Sequence, residues 1–228
     1  MSIVDNLRVI QERISAASLR AGRDPSEIRL VAVSKTQAAG AVNEAAESGQ
    51  RLFGENYVQE FTAKATEVTE PVEWHFIGSL QSNKVKYIVG LVTTIHSVDR
   101  LSLAQEISRQ WGRVGSCCDI LLEVNLGGES TKGGATIDAT LELTREIAKL
   151  PNLRIRGLMT IPPFFDDPEG ARPYFRELKR LSGVISAAEI PGVEMAELSM
   201  GMSGDFEAAI EEGATLVRVG TAIFGKRG

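Results

Sequence analysis

Three groups of residues in this chain are placed to do chemistry. The first is Lys35, which follows the apolar run of "LVAVSKTQ" (30–37). Leu30, Val31, Ala32 and Val33 read as a strand buried on both faces, so the ammonium should emerge at the edge of a core. A lysine there either carries its charge to water on an apolar stem, or is desolvated, loses basicity and becomes an amine nucleophile. The second group is a pair of turns rich in glycine and hydroxyls, "SMGMSGD" (199–205) and "GTA" (220–222). Glycine lets backbone N–H groups approach an anion such as phosphate, and a following helix start favours its charge. The plainer alternative is tight turns at Gly201 and Gly220 with Ser203 capping a helix. The third is Arg218, two residues before Gly220 and therefore on the same strand face. Its guanidinium either hydrogen-bonds a ligand seated in that loop or makes an ordinary ion pair at a rim.

The elements that must position these groups follow from periodicity. Eight short apolar runs read as strands: 28–34, 51–55, 73–78, 93–98, 118–126, 154–160, 193–200 and 215–220. Helical patterns separate them, among them 38–49, 56–68, 100–112, 136–150 and the long 168–190. An amphipathic segment precedes them, with Ile3, Leu7, Ile10, Ile14 and Leu19 as its apolar positions. Eight alternating units predict an α/β fold, a (β/α)8 TIM barrel with an extra N-terminal helix, as one domain over 1–228. A doubly wound open sheet fits less well, because no GxGxxG follows the first strand. In a barrel the site lies at the carboxyl ends of the strands. That rule gathers Ser34-Lys35-Thr36, Gly54-Glu55-Asn56, the stretch from His75 to Ser79, Thr160 and the two glycine turns at one mouth, and barrels often hold a phosphate with the loops after strands seven and eight.

Composition excludes several classes of function. The chain has 228 residues, 43% hydrophobic and 24% charged, with a net charge of −5 and no dense basic run, which argues against nucleic acid as a partner. The N-terminus is not a signal peptide, and no apolar run reaches the roughly 18 residues of a membrane span. Cys117 and Cys118 are adjacent, which suits neither a disulfide framework nor a zinc site, so a reduced, cytoplasmic protein is expected. No metal is expected either, because no His/Asp/Glu cluster has metal spacing, and His96 reads as a hydrogen-bonded barrel residue. Trp74 and His75 should face opposite sides of strand three, one toward the helices and one toward the interior or mouth. "SNKVK", with Lys84 and Lys86, reads as a solvated helix start beside Ser79 and Ser82, with a secondary phosphate site as its alternative. "IPPFFDDPE" (161–169) exposes apolar residues near the mouth, as a lid or a docking surface would.

A lysine amine beside a phosphate site on a barrel suggests a Schiff base, with pyridoxal 5'-phosphate (PLP) or with a sugar phosphate as in an aldolase. Arg218 separates the two, because a guanidinium there suits the pyridine nitrogen of a cofactor whose phosphate lies in the next loop. The ordered motifs "LVAVSKTQ", "FGENYVQE", "WHFIGSLQSNK", "IHSVD", "EVNLGGESTKGG", "RGLMTIPP" and "LSMGMSGDFEAAIEEGATLVRVGTAIFG" cover nearly the whole chain. In them the sequence closely resembles the YggS/PROSC family of pyridoxal phosphate homeostasis proteins, single-domain relatives of the alanine racemase barrel. The resemblance implies that Lys35 forms the Schiff base and that Arg218 meets the pyridine nitrogen. It further implies that Ser199, Gly220 and Thr221 bind the phosphate, with Asn56, His75 and Met200 lining the ring pocket. Two positions depart from the family pattern: Gly204 stands where an acidic residue is usual, and the loop "NLGGESTKGG" (125–134) is varied.

Racemase-type catalysis uses two bases, the second supplied by an additional domain of a partner subunit. This sequence runs eight residues past Gly220, too few for such a domain, and an arginine at the ring nitrogen weakens the ring as an electron sink. The expectation is a monomeric, non-catalytic PLP binder concerned with vitamin B6 homeostasis, with apo PLP-dependent enzymes as recipients. The alternative is a PLP enzyme with weak racemase or decarboxylase-like activity, for which His75 is the nearest candidate second base.

Overall fold

The eight apolar runs become eight parallel strands, because each is short, flanked by turn residues and followed by a segment that covers its outer face. The computed structural model describes residues 2–129 and 133–225. Met1, residues 226–228, and Ser130, Thr131 and Lys132 of the varied loop lie outside them. The strands are β1 (Arg29–Val33), β2 (Leu52–Glu55), β3 (Glu73–Phe76), β4 (Thr94–Val98), β5 (Cys118–Glu123), β6 (Leu153–Met159), β7 (Val193–Ser199) and β8 (Leu216–Val219). They pair in sequence order, and β8 closes onto β1 with Val31 opposite Arg218. The TIM barrel expected from the sequence is therefore the fold, and each predicted strand lies within three residues of the observed one at either end.

Helices α1 (Ile3–Arg20), α2 (Ala39–Glu47), α3 (Val58–Glu67), α4 (Leu101–Arg113), α5 (Ile137–Ala148), α6 (Arg172–Ala187), α7 (Phe206–Glu211) and α8 (Thr221–Phe224) surround the barrel. Two expectations change. The segment after β3 is a 3-10 stretch, Ser82–Tyr87, and the long helix expected from 168 opens with a separate 3-10 turn, Pro168–Ala171. Ser2 and Asp5 cap α1 reciprocally, which satisfies its first free N–H groups. Its buried stripe is Leu7, Ile10, Ile14 and Ala17, whereas Leu19 is 66% exposed, because the helical period carries it off that stripe. Among the described residues no helix is long and apolar enough to cross a membrane.

Strand alternation divides the core in two. Phe53 and Trp74 face outward and meet Phe61 of α3, with ring centroids 5.7 Å and 5.3 Å from Trp74, in contacts worth roughly 1 kcal/mol each beyond burial. The interior is filled by Val31, Leu52, Leu121, Met159 and Leu216. Buried beside these are His75, His96, Ser199 and Arg218, an unusually polar set for a barrel core.

Candidate functional site

A cavity of about 490 Å³ opens at the carboxyl ends of the strands, within the size range of small-molecule sites. Lys35, Asn56, Arg218, Gly220 and Thr221 line it, together with Ser203 and the apolar wall Ile161–Phe165.

The chain can end an apolar strand on Lys35 because both neighbours of that lysine are tied down. Lys64, on the buried face of α3, donates to the Ser34 carbonyl at 2.6 Å and pairs with Glu55 Oε1 at 2.6 Å and Glu60 Oε1 at 2.8 Å. Ser34 Oγ donates to Glu55 Oε1 at 2.7 Å, and the Thr36 N–H donates to Glu60 Oε1 at 2.5 Å. Thr36 sits at φ +64°, a left-handed conformation that a β-branched residue holds only when its surroundings impose it. Burial pushes the Glu55 carboxyl up, and the Lys64 and Ser34 bonds oppose that. The cluster thus anchors the backbone on each side of Lys35, through buried charge at Ser34 and through the partly exposed Glu60 at Thr36.

Arg218, on β8 beside β1, is buried and lines the same cavity. It donates to Ser199 Oγ at 2.5 Å and to the Thr160 carbonyl at 2.9 Å. Burial lowers its pKa to about 10, with Asp205 and Glu123 acting against the shift, so it stays charged at neutral pH. The loops after β7 and β8 supply donors. Gly201, at φ +88°, turns the chain so tightly that an added Cβ would lie 2.5 Å from the Ala209 Cβ. Met202 N–H is held by Asp205 at 2.6 Å, while the Ser203, Gly204 and Thr221 N–H groups have no protein acceptor among the described residues. Gly78 packs onto the Asn56 backbone, where a Cβ would lie 2.4 Å from its carbonyl oxygen, and Asn56 Oδ1 is buried with no hydrogen-bond partner among the described residues. Glu123 lines an adjoining recess together with Asn56, and its carboxyl is raised to about 7 by burial and by Asp99.

Five of the eight residues expected to contact a ligand line this cavity, and three lie elsewhere. Ser199 does not line it; buried and hydrogen-bonded to Arg218, it supports the guanidinium. His75 lies inside the barrel with Nδ1 2.8 Å from His96 Nε2 and Nε2 3.0 Å from Glu73 Oε1. With both ring nitrogens engaged, it is no candidate second base. Met200 is fully buried in the outer core, since it follows Ser199 and strand alternation turns it the other way. Ser203, read from sequence as a possible cap, lines the cavity, and α7 starts at Phe206 with Asp205 at the N-cap position and no side-chain cap. Lys84 and Lys86 lie away from the cavity against Tyr87, their Nζ atoms 5.8 Å and 4.9 Å from its ring centroid. Phe164 is 88% exposed on the cavity wall, whereas Pro162 is buried. Glu60 and Lys64 were missed because charged residues in a helical pattern read as solvated. Their only signal was the i, i+4 spacing behind a strand that ends in Glu55.

A parallel barrel with a lysine just past the end of its first strand defines a class. The chain belongs to the family of the alanine racemase N-terminal domain, whose model matches residues 3–228. Within that family its relatives are pyridoxal phosphate homeostasis proteins. The one from Aquifex aeolicus is 46% identical over 228 residues, covering 100% of this chain and 99% of the relative. Among solved structures, a Bifidobacterium adolescentis protein superposes with a TM-score of 0.92 at 39% identity, covering 97% of this chain and 94% of the other. PipY of Synechococcus elongatus PCC7942, solved with PLP bound, has a TM-score of 0.83 at 38% identity, with 95% and 100% covered.

Proposed function

We propose that this protein binds PLP in the mouth cavity, captures it on Lys35, and holds it for delivery to apo enzymes without turning over amino acids itself. The reading rests on one cavity bringing together an amine, a buried guanidinium and a group of unpartnered backbone donors. When bound, the cofactor supplies an aldehyde that a primary amine can attack and a ring that can accept electrons. Each residue has a matching task. Lys35 presents the amine, with its flanking backbone fixed by Lys64 and Glu60. The Ser203, Gly204 and Thr221 N–H groups offer three donors to a phosphate, and Gly220, which packs closely on Val33, leads the chain into Thr221. Asn56, whose Oδ1 is buried without a partner, offers its amide to the polar edge of the ring. Arg218 presents a charged donor to the ring nitrogen, which holds that nitrogen as an acceptor and weakens the ring as an electron sink.

A second reading, weak amino-acid chemistry, draws support from Glu123. Its carboxyl titrates near 7 in a recess that shares Asn56, Ile77 and Ile161 with the main cavity, and a general acid or base is most effective near the working pH. Incubating the loaded protein with L-alanine and other amino acids in deuterated water, beside an apo PLP enzyme, separates the two. The carrier reading expects activation of the apo enzyme with no α-deuterium, racemisation or carbon dioxide. Exchange that is lost in Glu123→Gln while the cofactor remains bound would establish the enzyme reading instead.

A further inference from the structure

Glu73, His75, His96 and Ser199 form a continuous hydrogen-bonded column through the barrel interior. It runs from the first residue of β3 to Arg218 beneath the cavity. The links are 3.0 Å from Glu73 Oε1 to His75 Nε2, 2.8 Å from His75 Nδ1 to His96 Nε2, 2.9 Å from His96 Nδ1 to Ser199 Oγ, and 2.5 Å from Ser199 Oγ to Arg218 Nη1.

The two ends fix the order of every proton between them. Arg218 can only donate, and ionised Glu73 can only accept. Glu73 is held down at about 2 by the His75 bond, by the Arg29 guanidinium 2.6 Å away and by Thr93. Burial lowers the pKa of both imidazoles, so both are neutral. The charged groups facing the pair are Arg29 from β1, Glu73 from β3, Glu197 from β7 and Arg218 from β8. Starting at Glu73, His75 must carry its hydrogen on Nε2, which leaves Nδ1 as an acceptor. His96 must then donate from Nε2, which leaves its own Nδ1 bare. Ser199 therefore donates its hydroxyl hydrogen to His96 and turns its lone pairs to Arg218. A single arrangement satisfies all five groups, and no buried donor or acceptor of the column is left over.

We propose that Glu73, His75 and His96 are positioning residues for Arg218: the column orients the Ser199 hydroxyl as an acceptor and thereby aims a charged guanidinium at the ring-nitrogen end of the cavity. The proposal rests on the reading that PLP occupies this cavity with its ring nitrogen toward Arg218. Without the column, the Ser199 hydroxyl is free to turn its hydrogen toward Arg218, and the guanidinium loses one of its two anchors.

The chain has only two histidines, so ¹⁵N-histidine labelling of the full-length protein gives two ring systems, assignable with one variant. At pH 7 both rings should be neutral with the hydrogen on Nε2, in the protein as purified and after cofactor removal. A ring protonated on Nδ1, or an imidazolium in either position, would overturn the proposal. The second arm loads PLP labelled with ¹⁵N in its ring. The wild-type ring nitrogen should be unprotonated and hydrogen-bonded; His96→Phe, which keeps the bulk but cuts the column, should move its resonance and weaken retention at least tenfold. His96→Gln, which can both accept and donate, should restore the wild-type resonance. An unmoved resonance in folded His96→Phe, or no rescue by His96→Gln, counts against the proposal. If His96→Phe does not fold, the wild-type tautomers and His96→Gln still decide. A wild-type protein that takes no PLP on Lys35 defeats the carrier reading and this link to the ring nitrogen together, while the tautomers report on the column alone.

Discussion

The two sides of the cavity are built by opposite means. On the Lys35 side, charged side chains outside the barrel wall hold backbone atoms: buried Lys64 takes the Ser34 carbonyl and partly exposed Glu60 takes the Thr36 N–H. On the Arg218 side, a column of side chains inside the barrel holds another side chain. The first device pins where the chain turns on either side of Lys35. The second pins a charged head whose task is to stay put. Damage to the first should therefore appear in the fold, and damage to the second in how the ring is held.

Lys64→Met should give the largest effect. It removes one partner of a buried ion cluster and leaves Glu55 uncompensated, a loss of about 3 to 5 kcal/mol. Thermal unfolding should drop by roughly 6 to 20 °C for a chain of this size. A melting temperature unchanged within a degree would show that the cluster does not hold the Lys35 turn.

Ser203→Ala and Ser199→Ala sharpen the contrast between contact and support. If the Ser203 hydroxyl joins its backbone N–H on the phosphate, its loss should weaken PLP retention by about ten- to a hundredfold, corresponding to roughly 1.5 to 3 kcal/mol, and leave pyridoxal without phosphate unaffected. Ser199→Ala should weaken both ligands to a similar degree, because it acts through Arg218. Equilibrium titration of the apo protein with each ligand makes the comparison, and a phosphate-selective loss in Ser199→Ala would reverse the two roles.

Glu123→Gln should give a smaller, pH-dependent gain. The folded carboxyl ionises near 7, above its unfolded value, so ionisation favours the unfolded chain progressively as pH rises from about 4.5 to 7. The glutamine variant should be more stable than wild type by on the order of 2 kcal/mol at pH 8 and equal to it near pH 4. Denaturant unfolding at the two pH values checks this, and a variant less stable at pH 8 would mean that the carboxylate has a partner worth more than its desolvation. Lys86→Ala should do least, leaving PLP retention within twofold, because its ammonium lies over the Tyr87 ring and away from the cavity.

The barrel was legible because its signals are periodic and repeated: short apolar runs, turn residues and covering helices recur eight times. That Lys35, Arg218, Gly220 and Thr221 lie at the cavity was legible because each stands at or just past the end of a strand. Ser199 and Met200 were misplaced because the glycine turn begins two residues later than its hydroxyl suggests. Gly201 carries the bend, so Ser203 reaches the mouth and Ser199 stays in the strand. His75 was expected to line the pocket, but it is an inner link of a column whose other members lie up to 124 residues away in sequence, between His75 and Ser199. Nothing local marks such a partnership. The Lys64 cluster was hidden for a related reason: a lysine in a helix is ordinarily solvated, and only the depth of α3 against β2 shows otherwise.

Borohydride trapping tests most directly whether Lys35 captures the cofactor. Protein loaded with PLP is treated with borohydride, digested, and the pyridoxyl-bearing peptide sequenced by mass spectrometry. The account predicts a single label on Lys35, absent from Lys35→Ala, which should remain folded because a half-buried side chain at the mouth contributes little packing. A label on Lys84 or Lys86, with Lys35 unmodified, would contradict it.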